Sequence, residues 1–259
     1  MKILLVRRDP IFSPLKVEAD AAILEAVARL LEERGYEAVM ADETAIADHG
    51  IPDRVGAVLQ MTRGGRALAV LDKAAVPVLN APDSVRKCRR GLLADAMRGL
   101  DVMPESMVCP TAAGVPDAWN KWPCWIKRAD SQAAIGKDDV RMVQSAPQCA
   151  DVMERMAARG IAECVLQENA IGKTVKFYAV AGCGIVGTAP LTEDTGRLWE
   201  KAEKAAKATG LEIYGGDAVI GADGSVTLVD LNDWPSFGCC RETAAQAIVR
   251  LLVDIYGKR

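Results

Sequence analysis

No apolar run in this sequence approaches membrane-spanning length, and the opening MKILLVRRDP offers too few apolar residues before Arg7 and Arg8 for a signal-peptide core. A cytoplasmic location is therefore expected. The chain carries 8 cysteines but no C-x-x-C pair, which disfavours both a zinc site and a disulfide scaffold. Cys88, Cys109, Cys124 and Cys164 sit among apolar neighbours, as reduced core thiols do. Cys239 and Cys240 are adjacent, but with no histidine or motif beside them burial is expected over reactivity. Basic residues are dispersed apart from the run 86–90, and the net charge is −3 with a pI near 5.4, so nothing marks a nucleic-acid surface. G-x-G-x-x-G is missing from the first loop, which argues against a dinucleotide site. G-x-x-x-x-G-K-[ST] is missing throughout, which removes the P-loop class. The single histidine, His49, falls in the polar stretch ADHGIP and reads as a surface loop residue rather than a general base. Internal repeats and low-complexity tracts are absent too.

What is present is a globular composition. At 259 residues and 50% hydrophobic content, the chain can bury a substantial core in one large or two to three small domains. Residues 2–6 (KILLV) form a compact apolar strand, and 17–34 place Ile23, Val27, Leu30 and Leu31 at helical spacing, ended by Gly35. Strands follow at 36–40 and 56–61, then a helix at 66–74 and a short strand at 76–79. This alternation predicts a parallel, doubly wound sheet. The first loop, RRDPIFSP, leaves the carboxyl end of a strand, where such folds line ligand crevices. Arg7, Arg8, Asp9 and Ser13 are thus substrate-site candidates, a solvated connection being the alternative.

Residues 83–100 carry Val85, Leu92, Leu93 and Met97 on one stripe and read as an amphipathic helix. Beyond Pro104, strands at 107–109, 124–127, 140–143 and 164–167 with a helix at 150–159 describe an α+β lobe. Lys127 ends a strand of buried character, so its ammonium can hold phosphate oxygens at the mouth of a cleft, or else snorkel to the surface. The turn SQAAIGKDD after it holds one glycine, Gly136, and is a poor phosphate cradle. In the strand 174–181, Lys176 and Tyr178 share one face and Phe177 and Ala179 the other, making Lys176 a second phosphate candidate. Helices at 197–207 and 242–256 complete the chain, the second following a hairpin.

That hairpin carries the most chemistry. Asp217 opens an apolar run, Gly-Ala-Asp-Gly at 221–224 is a turn, and a second run returns through Val226 and Leu228 to Asp230 and Asn232. Strand alternation points Asp230 and Asn232 the same way, and the hairpin lets Asp217 face them. Two carboxylates and an amide oxygen on one face suit a hard cation, above all Mg²⁺ brought in by a nucleotide. The competing reading is a strand end running into a turn.

With Lys127, Gln167, Glu168, Lys176, Asp217, Asp230 and Asn232 in this order, the chain resembles the ATP-grasp superfamily over nearly its whole length. VPVLNAP followed by Lys87 resembles the segment before the nucleotide-binding core, CWIKR the strand whose lysine touches the α and β phosphates, and CVLQENAIG the strand and hinge at adenine and ribose. GGDAVIGADGSVTLVDLNDWPSF is similar to the magnesium hairpin. The resemblance implies Asp217, Asp230 and Asn232 as Mg²⁺ ligands, Lys87, Lys127, Gln167, Glu168 and Lys176 as ATP-binding residues, and Lys176 with Arg241 as catalytic. Arg86 and Arg90 are open alternatives to Lys87, because the run RKCRR does not fix the register.

The likeness is greatest to the branch of ribosomal-protein glutamate ligases and glutathione synthetases. It implies a fold of mixed α/β and α+β class: an N-terminal parallel α/β domain at 1–82, a linker helix with a small lobe at 83–169, and a large lobe with the metal site at 170–259. The activity implied is an ATP-dependent ligation of a small-molecule carboxylate to an amine through an acyl phosphate. A kinase acting on a small hydroxylated substrate and a non-catalytic nucleotide-binding module are the alternatives. The segment after Val186, GTAPLTEDTGRLWEK, lacks the arginine-bearing loop of the ligases, and Arg241 is placed as the positive charge in its stead. Neither nucleic acid nor membrane is an expected partner, and a homo-oligomer is left open.

Overall fold

The first apolar run, Lys2–Arg7 (β1), becomes the centre of a parallel sheet in a computed structural model that describes residues 1–13, 16–131, 136, 139–190, 192 and 195–256. Ile3, Leu4, Leu5 and Val6 are all fully buried, so both faces of β1 are covered, as a parallel sheet requires. Its neighbours are Glu37–Asp42 (β2) and Val55–Gln60 (β3), with the short Val78–Leu79 (β4) beyond, in the order β2-β1-β3-β4. The helix Val17–Glu32 (α1) buries Ile23, Val27, Leu30 and Leu31, the stripe read from its spacing. A second helix, Glu43–His49 (α2), lies where the sequence suggested only a connection. His49 is therefore an exposed residue at a helix end rather than in a loop, and Gly50 at φ 81° stops the helix. Gly65–Leu71 (α3) follows β3.

The single linker helix expected at 83–100 is two helices, Pro82–Lys87 (α4) and Arg90–Met97 (α5). No proline or glycine breaks it between Cys88 and Arg89. The cause is tertiary: the backbone N–H groups of Arg90 and Gly91 leave the helical ladder and donate to Ser131 O and Ala129 O, at 3.4 and 2.9 Å. A Cβ at Gly91 would stand 3.2 Å from the Ala129 Cβ, so the close approach suits glycine. The break turns Arg90 inward.

Ser106–Pro110 (β5), Cys124–Arg128 (β6), Val140–Val143 (β7) and Glu163–Glu168 (β8) form an antiparallel sheet in the order β5-β8-β6-β7. The helix Ala146–Ala158 (α6) closes a separate core around Ile126, Val152, Met153 and Leu166. Cys109, Cys124, Cys149 and Cys164 lie in that core as free thiols. The third sheet is also antiparallel: Lys173–Val180 (β9), Gly184–Ala189 (β10), Ile213–Ile220 (β11) and Val226–Asp233 (β12), in the order β10-β9-β11-β12. Thr195–Thr209 (α7) covers one side together with α5, around Phe177, Ala179 and Leu231.

The final helix, Arg241–Tyr256 (α8), packs elsewhere. Its Ala244, Ala245, Ile248 and Leu252 share one core with Ile3, Leu5 and Leu59 of the first sheet and with α1. Trp234 and Phe237, both fully buried and both at positive φ (29° and 51°), sink into this same core from the loop between β12 and α8. Positive φ is costly for such bulky residues. The burial of two large rings offsets it.

Asn80 seals the junction. It is fully buried; its side-chain amide donates to Ile213 O at 2.7 Å, and its Oδ1 accepts from the N–H groups of Glu212 and Ile213, each at 2.9 Å. Replacing Asn80 with alanine orphans the N–H groups of Glu212 and Ile213 at a buried seam, at about 1–3 kcal/mol each where no water enters, while Ile213 O keeps the Trp234 N–H at 3.0 Å. We expect a loss of roughly 3 kcal/mol in urea-unfolding stability. A loss below about 1 kcal/mol would show that the seam hydrates freely.

Candidate functional site

Three strands of the large-lobe sheet set charged residues in a row. Asp217 on β11 lies directly opposite both Lys176 on β9 and Asp230 on β12, and Gly215 two residues earlier lies opposite Tyr178 and Asn232. Strand alternation then brings Lys176, Tyr178, Asp217, Asp230 and Asn232 to one face. Phe177 and Ala179 point into the core on the other side, as their alternation required. Lys176 Nζ donates to Asp217 Oδ1 at 2.8 Å, and Asn232 Nδ2 donates to Asp230 Oδ2 at 3.1 Å. The register shifts between Asp217 and Ala218, so the ladder is irregular just where the carboxylates meet. The turn is the one the sequence suggested: Gly221 N–H donates to Ser225 O at 2.9 Å and Gly224 adopts φ 74°.

Facing this row is the small-lobe sheet. Lys127 Nζ donates to Gln167 Oε1 at 2.6 Å and reaches across to Val229 O of β12 at 3.0 Å. Between the two sheets lies a cavity of about 560 Å³. Trp125, Val140, Val219 and Val229 supply apolar wall, while Arg90, Lys127, Lys176, Asp217 and Asp230 supply charge. Burial pulls the Lys127 ammonium below the usual lysine range; Asp230 and Asp217 oppose that shift, and Arg90 adds to it. Arg90 is buried as well, and burial lowers its pKa against the pull of Asp230 and Asp139. Trp125 Nε1 donates to Asn169 Oδ1 at 3.0 Å, which fixes the indole against the segment after β8.

A second cavity, about 280 Å³, lies on the other side of the row and shares Lys176 and Asp217 with the first. The segments after β1 and β3 and the start of α1 supply its floor through Arg8, Ser13, Lys16, Asp20 and Arg63, and Asn232, Pro235 and Ser236 close it. Arg8 leaves the end of β1 and is almost wholly used: Nη1 to Asp20 Oδ2, Nε to Met61 O and Nη2 to Trp234 O, each at 3.0 Å. Burial, with Arg63 beside it, brings its pKa down to about 10. Ser13 Oγ donates to the same Asp20 carboxylate. Arg63 Nη2 donates to the buried Asp233 at 3.0 Å, but its buried Nε has no partner among the described residues. Glu43, buried at the start of α2, accepts from the N–H of Asp9 at 2.9 Å, of Arg63 at 3.2 Å, and of Gly64. One carboxylate thereby fixes both loops that present the arginines, and a Cβ at Gly64 would collide with it at 2.4 Å.

The residues named from sequence divide accordingly. Lys127, Gln167, Lys176, Asp217 and Asp230 line the larger cavity; Arg8, Ser13 and Asn232 line the smaller. Lys87 is not brought there: it pairs with Asp83 at 2.7 Å on the outer face of α4, Arg86 pairs with Asp72, and Arg90 is the residue of that run inside the cleft. Glu168 points to the face opposite Gln167 and pairs with Lys121 at 3.4 Å. Arg7 lies beside Asp42 at 3.7 Å, and Asp9 Oδ1 accepts from Ile11 N–H at 2.9 Å to cap the turn after β1. Arg241 opens α8 outside both linings, its Nε buried without a partner among the described residues. Cys239 is exposed and Cys240 half-buried, its thiol pushed up to about 12 by burial and by Cys239. The turn reading at Gly136 and part of the segment after Val186 fall on residues 132–135, 137–138, 191 and 193–194, outside the described residues. Sequence reasoning missed Lys16, Asp20, Arg63 and Trp125; only Asp20, a charged residue amid the apolar stripe of α1, carried a visible signal.

A parallel α/β sheet followed by two antiparallel lobes that clasp a charged cleft is the ATP-grasp fold, and the comparison with solved structures bears this out. The chain is similar to a RimK domain ATP-grasp protein from Sphaerobacter thermophilus, at TM-score 0.69 and 20% identity over 98% of this chain and 100% of that one. It is similar to the D-alanine–D-alanine ligase from Bacillus anthracis complexed with ATP, at TM-score 0.74 and 12% identity over 100% and 99%. A third likeness is to the ATP-grasp ligase PsnB complexed with the precursor peptide PsnA2 and AMPPNP, at TM-score 0.64 and 17% identity over 96% of each chain. No protein-family model matches the chain, and no curated protein matches it in sequence. Among the described residues, no helix is long and apolar enough to cross a membrane.

Proposed function

We propose that this chain is an ATP-dependent ligase that joins a carboxylate to an amine through an acyl phosphate. The observation that carries this reading is the shared wall: Lys176 and Asp217 line both the larger cavity and the smaller one. A nucleotide in the larger cavity, its base against Trp125 and the valines, would bring its terminal phosphate to the row that an acceptor in the smaller cavity also touches. A carboxylate oxygen of the acceptor attacks the γ-phosphorus, forming an O–P bond as the bond to the β-phosphate oxygen breaks and ADP leaves. The amine then attacks the acyl carbon, the C–N bond forms, the C–O bond to phosphate breaks, and the nitrogen loses its proton. Such chemistry rests on positioning and charge neutralisation, which Lys127, Arg90 and Lys176 provide.

The donor set fits a hard cation. Asp217 and Asp230 are directly opposed and Asn232 lies two residues on along the same face, so Mg²⁺ would be held by two carboxylates and the amide oxygen. Among the described residues no cluster of three or more histidine, cysteine or acidic side chains could hold a metal, which leaves this mixed trio as the candidate. When bound, Mg²⁺ supplies neutralisation of phosphate charge. Lys176 pairs with Asp217 at 2.8 Å, beside the same trio.

The test is ADP release with Mg²⁺ across pools of acids, amines and polyols, with hydroxylamine added to trap an activated acyl group. ADP release with acid and amine together, and hydroxamate formation from the acid alone, is the expected result. ADP release with a polyol alone would instead make the protein a kinase.

A pH dependence follows from Lys127. Burial lowers its pKa, so the buried ammonium is lost at a lower pH than an ordinary lysine near 10.4 would lose its own. Nucleotide affinity should therefore weaken as pH rises through the alkaline range below that value. Lys127→Arg, which stays charged, should flatten the dependence. An affinity independent of pH in the wild-type protein would remove Lys127 from the phosphate site.

A further inference from the structure

Beside the smaller cavity lies a third, about 220 Å³, which shares Phe12 and Arg63 with it. All three parts of the chain contribute: Ile11, Phe12, Arg63 and Leu68 from the N-terminal domain, Val85, Arg86 and Arg89 from the linker, and Arg128, Asp130 and Ser131 from the end of β6. Four arginines and one carboxylate line a space with an apolar wall on its other side. This is the only concentration of basic residues suggested by the sequence, the run 86–90, now completed by Arg63 and Arg128 from distant segments.

The state of each arginine shows what the cavity can accept. Arg86 is held from outside by Asp72, Nη1 to Oδ1 at 3.0 Å and Nη2 to Oδ2 at 2.5 Å, so its position is fixed. Arg63 is held by Asp233 but its buried Nε has no partner among the described residues. The Arg89 residue is exposed, and its side chain forms no hydrogen bond or ion pair with any described residue. Arg128 is forked onto Asp130, through Nε and through Nη2 at 2.9 Å, and the Asp130 side chain is 56% exposed. Asp130 is thus a carboxylate lying on a guanidinium fork at the mouth of an arginine-lined space, in the place an incoming anion would take. Ile11, 73% exposed at the same mouth, leaves apolar surface for whatever carries that anion.

We infer that this cavity binds an anionic group, phosphate or carboxylate, on a short apolar arm of the acceptor substrate. The inference rests on the ligase reading for the word acceptor, but the anion site itself stands on the arginines. Guanidinium forks take phosphate and carboxylate in the same bidentate manner, and charge-assisted bonds of this kind are the strong ones. Arg63 joins the two cavities, so a substrate could place its reacting carboxylate near Lys176 and its distal anion among Arg63, Arg89 and Arg128. Because the linker and the small lobe both contribute, occupancy would also draw the lobe toward the N-terminal domain.

The test uses the full chain saturated with Mg²⁺ and a non-hydrolysable ATP analogue, so that added anions cannot enter the nucleotide cleft. Inorganic phosphate and succinate are titrated calorimetrically at matched ionic strength, against wild type, Arg89→Glu and Asp130→Asn. Both side chains are largely exposed, and unchanged melting temperatures without anion confirm folding. The expected result is saturable binding weakened about tenfold or more by Arg89→Glu and tightened by Asp130→Asn, since the latter removes the competing carboxylate. A preference for phosphate or for succinate assigns the source of the anion. Absence of binding by either anion, or equal binding by all three proteins, overturns the inference. If the ATP analogue itself does not bind, the ligase reading fails, and the same titrations on the free protein still decide the anion site through the two variants.

Discussion

Asp230→Asn protein should fold normally, still bind nucleotide, and release ADP about a hundred to a thousand times more slowly than wild type. The substitution is nearly isosteric. Asp230 Oδ1 accepts from the N–H of Leu231 at 3.1 Å, and an asparagine oxygen can do the same. What changes is one negative charge, half-buried and directly opposite Asp217. If the two carboxylates together hold Mg²⁺, halving their charge weakens the cation where phosphate charge develops, and the loss falls on turnover. A second effect has a definite sign. Asp230 is the foremost group opposing the depression of the Lys127 pKa, so its neutralisation lets that pKa fall further. The alkaline loss of nucleotide affinity should then move to lower pH. Steady-state ADP release and a pH series of nucleotide binding check both; unchanged turnover would remove Asp230 from the reaction.

Arg8→Ala should be the most destabilising single change at the site, by about 3–5 kcal/mol in urea unfolding. The side chain is 6% exposed and its three hydrogen bonds reach α1, the end of β3 and the loop after β12. Among the described residues, its removal leaves Asp20, 8% exposed, with only Ser13, and removes one of the two cations paired with Asp233, which is wholly buried. Uncompensated buried carboxylates are the main source of the cost. Lysine would restore charge but not the three-way geometry, so Arg8→Lys should recover only part of the loss. A loss below about 1 kcal/mol for alanine would mean that water replaces the guanidinium, and the floor of the smaller cavity would then be softer than its hydrogen bonds imply.

Much of the fold was legible because its signals are local. The apolar run at β1, the spacing of α1 and the hairpin at Gly221–Gly224 each depend on neighbours in sequence, and each formed where expected. The row of Lys176, Asp217 and Asp230 was legible for the same reason, since alternation and a short turn set its face. What escaped was decided at a distance. The linker broke between Cys88 and Arg89 because Ala129 and Ser131 capture two helical N–H groups, and nothing within the run RKCRR foretells that. That capture also selects Arg90 over Lys87 for the cleft. Arg63 and Lys16 were invisible because their roles come from loops at the ends of separate strands, brought together only when the sheet forms. Glu168 follows Gln167 by one residue, and a strand sends the two to opposite faces.

One core joins β1, β3 and α1 to α8, Trp234 and Phe237, whereas α6 and its sheet have a core of their own. Mechanically, the molecule is then a rigid bench and a jaw. The first and last stretches of the chain, far apart in sequence, make up the bench, so force applied between the small lobe and either terminus would load the connection after Glu168 before it disturbed the floor of the smaller cavity. A jaw that moves against a stiff bench carries Lys127 with it while Arg8, Asp217 and Asp230 hold their spacing. The width of the cleft and the spacing of its charged residues thus depend on different cores.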